Sequence, residues 1–166
     1  MADLTIAERL QPSLLDRLTD DQPGSKEETR RERVIDVKRL REIIQRDLAW
    51  LLNTTNLESE VDLEPYPQVA CASVNYGVTD IAGKPSGLNR AIEIRQAIRS
   101  SIESFEPRIL PGSLEVDLHQ EKLDGGGAIV SFDIRGELWA QPVPIELYLR
   151  TALDITTGEV SLDRQN

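Results

Sequence analysis

Histidine and cysteine occur once each in this 166-residue chain, as His119 and Cys71. A lone cysteine excludes an intrachain disulfide framework, and with one histidine a zinc site would have to be built almost wholly from carboxylates, which suit zinc poorly. Metal catalysis is therefore not expected, and no cofactor is implied. Aromatic residues are scarce at 4%, so the core must come mostly from Leu, Ile and Val. Bases are outnumbered, 19 against 29 acids, and the formal charge of −10 disfavours a nucleic-acid backbone as partner, because that affinity rests on Lys and Arg displacing counterions. Long apolar runs are missing too. The opening "MADLTIAERLQPSLLDRLTDD" offers neither a signal peptide nor a membrane span, so the expectation is a cytoplasmic protein with no membrane insertion. Cys71, within "QVACASV", reads as a small buried hydrophobe.

What is present divides into a short extension, 1–33, and one domain, 34–166. In "PSLLDRL", Leu14, Leu15 and Leu18 put three large apolar groups on about one helical turn, too short to be stable alone and in need of a docking surface. The polar stretch 20–33 with its Pro-Gly break reads as a linker. From Val34 to Leu52, Val37, Leu40, Ile44, Leu48 and Leu51 recur every three or four residues, which predicts an amphipathic helix with Arg39, Glu42 and Arg46 on another face. Residues 53–68 read as loop, and "VACASVNYGV", 69–78, as a short strand or extended link. Ser86 can cap a second helix whose stripe is Ala91, Ile94, Ile98, Ile102 and Phe105.

Beyond Pro111 the period falls to two. Leu114, Val116 and Leu118 alternate with acids, "DGGG" at 124–127 supplies a hairpin turn, and Val130, Phe132 and Ile134 answer on the return strand. "PVPIELYLRTALDI" alternates again, and a turn at "TTG" leads into "EVSL". The fold class is thus α+β: two main amphipathic helices packed on a three- to four-stranded antiparallel sheet, with a short N-terminal helical extension. Pro142 and Pro144 lack backbone donors, which suggests that their strand starts at an edge, where a foreign strand could dock. Residues 112–166 carry ten acids against four bases, a surface suited to a basic protein partner.

Enzymatic chemistry has few routes here. "GGG" lies between strands without the Lys and Ser/Thr of a phosphate loop, and His119 alternates onto the acidic side of its strand, away from any triad. Paired carboxylates are the surviving option: a glycan (peptidoglycan) hydrolase using Glu106 with Asp80 or Glu103. Against it stand the shortage of aromatic sugar platforms and Arg108, which favours the charged form of its neighbour.

A binding role accounts better for "SIESFEPRIL". Pro107 ends the helix and fixes its own backbone, so Glu106 and Arg108 form a rigid polar fork that loses little ordering entropy when a partner takes hold. "PSLLDRLTDD", "SVNYGVTDIAG", "GLNRAIEIRQAIRSSIESFEPRI" and "PVPIELYLRTALDITTGEV" together resemble the TssE family of type VI secretion baseplate subunits, grouped with phage baseplate wedge proteins labelled "lysozyme-like". The resemblance implies a non-enzymatic component of a contractile injection machine, bound to the wedge proteins TssF and TssG with TssK nearby, and joined to the TssB/TssC sheath. It implies wedge binding by Glu106, Pro107 and Arg108 and, more loosely, partner contact by Leu14, Leu15 and Leu18. It also implies a sheet akin to the strand-exchanging domain of the sheath, able to seed its assembly.

Overall fold

In the computed structural model, which describes residues 13–19, 36–80, 88–119, 129–140, 143–154 and 157–164, the helical stripes and the alternating strands meet in a single apolar layer. The elements are α1 (Leu14–Leu18), α2 (Val37–Leu52), α3 (Pro67–Ala70), α4 (Leu88–Phe105), β1 (Glu115–His119), β2 (Ile129–Leu138), β3 (Ile145–Asp154) and β4 (Val160–Arg164). The four strands form an antiparallel meander in chain order, and the fold is α+β as expected. The linker at 20–33, Ser86, the 124–127 turn, Pro142 and Ile155 lie outside the described residues.

Asp36 starts α2 by accepting the N–H of Arg39 at 2.7 Å, satisfying one of the orphan donors of the first turn. Its buried face is Leu40, Ile43, Ile44, Leu48, Leu51 and Leu52. α4 contributes Ala91, Ile94, Ile98 and Ile102, and the sheet returns Val116, Phe132, Ile134, Leu138, Leu147, Leu149 and Leu153. Thr151 is fully buried in this row and tolerated because its hydroxyl donates to the Phe132 carbonyl at 3.1 Å. On the opposite face of the sheet, Asp117 and Asp133 stand directly across from one another, a repulsive pairing, and Arg150 and Arg135 approach Asp133 at 2.9 and 3.8 Å to offset it.

Two strand expectations need correction. β3 is an interior strand, flanked by β2 and β4. Pro144 is tolerated because the first ladder pair, Ile145↔Leu138, begins one residue later, so no sheet hydrogen bond is lost to the ring. The second concerns 69–78, which is not a strand. Pro67 opens the helical turn α3, a 3₁₀ turn covers Ser73–Asn75, and Val78 alone makes a parallel bridge, with Thr55. Buried Asn75 holds the loop by donating to the Ala70 carbonyl at 2.9 Å and accepting the Glu58 N–H at 3.0 Å, so side-chain amide bonds replace a ladder. Cys71, expected in the core, is exposed on this loop.

Among the described residues the edges are β1 and β4, and the second is clasped. Asn53, just past α2, donates to the Val160 carbonyl at 2.8 Å and accepts the Val160 N–H at 2.9 Å, as a neighbouring strand would. Gln45 donates to the Leu162 carbonyl at 2.9 Å. Asn53→Leu is expected to lower stability by about 2 kcal/mol, chiefly through the two bonds lost to Val160, with a third, exposed bond lost to the Ala49 carbonyl. Urea denaturation measures that loss, and amide exchange at Val160 should rise with it.

Candidate partner-binding site

α4 ends at Phe105 with the Glu106 N–H still bonded to the Ile102 carbonyl at 2.9 Å. The next residue has no N–H, and the chain reverses through a turn closed by the Ile109 N–H on the Glu106 carbonyl at 3.2 Å, with Pro107 exposed at its second position, where its fixed φ suits the turn. The outgoing segment then joins the sheet. Leu110 N–H donates to the Glu137 carbonyl at 2.8 Å, Trp139 N–H to the Arg108 carbonyl at 2.7 Å, and Ile109 bridges Leu138. Glu106, Pro107 and Arg108 are thereby fixed at both ends, by a helix and by a strand.

Their charges are engaged within the molecule. Glu106 is buried, and one of its oxygens accepts from the Arg108 backbone N–H at 3.1 Å and from Nε at 2.6 Å; Nη2 bonds the other. The same Nη2 reaches Asp47 Oδ2 on α2 at 2.7 Å. Asp47 Oδ1 accepts from Arg46 at 2.6 Å, and Arg46 Nη1 extends 2.7 Å to Asp16 Oδ1 on α1. Ser13 caps α1 and bonds Asp16 as well. A continuous line of alternating charge therefore runs from α1 across α2 to the turn after α4. Beneath it Tyr76 points its hydroxyl at the Asp47 carbonyl, 3.4 Å away, and meets Phe105 edge to face at 5.5 Å.

Electrostatics follow the geometry. Burial disfavours the Arg108 cation, but the hydrogen bonds and field of Glu106, followed by those of Asp47, outweigh it and leave its pKa above the ordinary value. Arg46 is raised chiefly by its bond to Asp16, partly opposed by burial, with Asp47 adding to the rise. Burial pushes the Asp16 carboxyl up, yet the bonds from Arg46 and Ser13 and the fields of Arg46 and Arg108 prevail and lower it. The Tyr76 hydroxyl is raised by burial first and then by Asp47 and Glu106.

The fork expected to offer both charges outward is instead closed on itself: Glu106 is buried and accepts from Arg108 through both oxygens, because a carboxylate at this depth needs a cation, and Pro107 is what faces outward. Leu14, Leu15 and Leu18 do form a helical turn, but it sits on the body through Asp16 while all three leucines face solvent. Arg46 and Asp47, which tie the two predicted elements together, carry no distinguishing local pattern. Of the carboxylates weighed for hydrolysis, Glu106 is 4% exposed and held by Arg108, and Glu103 bonds Arg99 at 2.9 Å on the surface of α4. Among the described residues no group of three or more His, Cys, Asp or Glu could hold a metal ion, and no helix is long and apolar enough to cross a membrane.

A helix pair on a four-stranded meander, with a turn braced by buried charge at the end of its second long helix, defines a two-layer α+β domain. The family model described as baseplate wedge protein gp25 matches residues 38–143, and the chain belongs to that family. The match takes in nearly all of α2, the Glu-Pro-Arg turn and β2, while α1, β3 and β4 lie outside it. Comparison with curated proteins and with solved structures returns no match. The family makes the chain a structural component of a phage-tail-like baseplate.

Proposed function

We propose that the chain serves a type VI secretion machine in the manner of TssE, gripping the TssF–TssG wedge through Glu106–Pro107–Arg108 and joining the TssB/TssC sheath through its sheet. The observation that carries the reading is the turn itself. Pro107 is exposed at its apex, and the guanidinium beside it is fixed by Glu106 and Asp47, so a partner meets a preformed shape and orders almost nothing. Family membership supports the baseplate setting. For the sheath, β1 is the edge to consider, since Gln45 of α2 and Asn53 just past it already occupy backbone groups of Val160 and Leu162 on β4.

The test is co-purification of the Glu106→Ala, Arg108→Ala double variant with co-expressed TssF and TssG, alongside a thermal melt of the isolated variant. Capture should be lost while the variant still unfolds cooperatively. Undiminished capture would overturn the grip.

A further inference from the structure

α1 is seated the wrong way round for a helix of its own fold. Its polar side makes the intramolecular contact, with the Asp16 side chain only 7% exposed against Arg46, whereas Leu14, Leu15 and Leu18 are 71%, 49% and 75% exposed. An amphipathic turn normally does the reverse, since burying its leucines is the main gain available to it. Next to it stands another exposed apolar group. Trp50 on α2 is 52% exposed, and the Arg46 guanidinium that bonds Asp16 lies over its ring at 4.9 Å. The leucines and the indole are therefore joined through one side chain, and Asp47 links that side chain to Arg108 at the braced turn.

The charges of this patch are sorted by depth. The carboxylate side chains lie deeper, with Glu106 at 4%, Asp16 at 7% and Asp47 at 21%, while the Arg46 and Arg108 side chains lie further out at 34% and 28%. On a chain of net charge −10, this spot turns cations toward solvent. Tryptophan and arginine are also the residues that dominate binding energy when a partner excludes water from them.

From the exposed leucines, the stacked indole and the outward guanidiniums we infer that Leu14, Leu15, Leu18, Trp50, Arg46 and Arg108 form one docking surface for an apolar groove rimmed by carboxylates on a wedge subunit. Arg46 and Asp47 are its positioning residues, holding α1 at a fixed angle to the turn. The inference rests on the wedge-binding reading and adds to it the surface beside the turn and the chemistry of the occupant.

Titration calorimetry of the full chain with the purified TssF–TssG complex tests it. Leu15→Ala and Trp50→Ala should each weaken binding by about 30-fold, the size expected of a central anchor. Both side chains are exposed, so the melts of the isolated variants should match the parent. Raising the salt concentration should weaken binding, because the guanidiniums meet carboxylates. If both variants bind like the parent while the Glu106→Ala, Arg108→Ala double variant loses capture, the turn grips without this surface and the inference falls alone. If the parent chain itself captures no wedge, both readings fall. Affinity that is unchanged or improved by salt overturns the carboxylate-rimmed occupant.

Discussion

Arg108→Ala is expected to destabilise the isolated protein by about 3–5 kcal/mol, and adding Glu106→Ala should recover part of that loss. The reasoning turns on what each change leaves behind. Glu106 is buried and takes its side-chain bonds from Arg108, so removing the guanidinium strands a carboxylate away from both water and a cation. Taking the acid as well removes the group that had been stranded. Asp47 loses one partner in both variants but keeps Arg46 and is 21% exposed, so its contribution is similar in the two. Urea denaturation of the parent, the single and the double variant should therefore give the order parent, double, single from most to least stable. A single variant more stable than the double would contradict the account of Glu106 as a buried, paired charge. The same ordering makes the double variant the better probe of partner binding, since its fold is less compromised.

Gly77→Ala should be about as damaging, at roughly 3–4 kcal/mol, which for a chain of this size lowers the melting temperature by about 10 °C. Two independent features of Gly77 converge. Its φ of +129° is essentially closed to residues with a side chain, and a Cβ there would sit 2.3 Å from the Thr54 carbonyl oxygen. That oxygen belongs to rigid backbone: Thr54 accepts the Val78 N–H at 2.8 Å and Asn56 donates to the Val78 carbonyl at 3.0 Å. On its other side the Gly77 carbonyl accepts the buried Ser101 hydroxyl from α4 at 2.7 Å, so the loop cannot swing away without breaking that bond. Thermal melts read the loss directly, and a variant melting within a degree or two of the parent would mean that the loop relaxes.

The helices and the sheet were legible because their burial is periodic. Leu40, Ile44, Leu48 and Leu51, then Ile94, Ile98 and Ile102, fall on one face each, and Leu147, Leu149 and Leu153 keep the period of two. Residues 69–78 were not, since Val, Ala and Cys suit a strand as well as a short helical turn, and the choice is made by the side chain of Asn75. Proline pointed to an edge for β3 by a sound rule whose premise failed, because Pro144 precedes the ladder rather than joining it. The turn at Glu106 was readable from its proline. Its brace was not: Asp47 lies 61 residues earlier, on a helix where it looks like one more solvated acid. Cys71 shows the limit of composition, which gives a residue's average preference for burial and nothing of the loop that carries it.

The clasp of Asn53 and Gln45 on β4 makes the two edges of the sheet unlike. A strand edge is sticky through its unpaired backbone groups, and here Gln45 of α2 and Asn53 just past it have already taken three of those on β4. The two edges are thus unequal: β4 has part of its outer backbone capped from within, whereas β1, among the described residues, has a neighbouring strand on one side only, so a strand added through main-chain bonds would find more open donors and acceptors there.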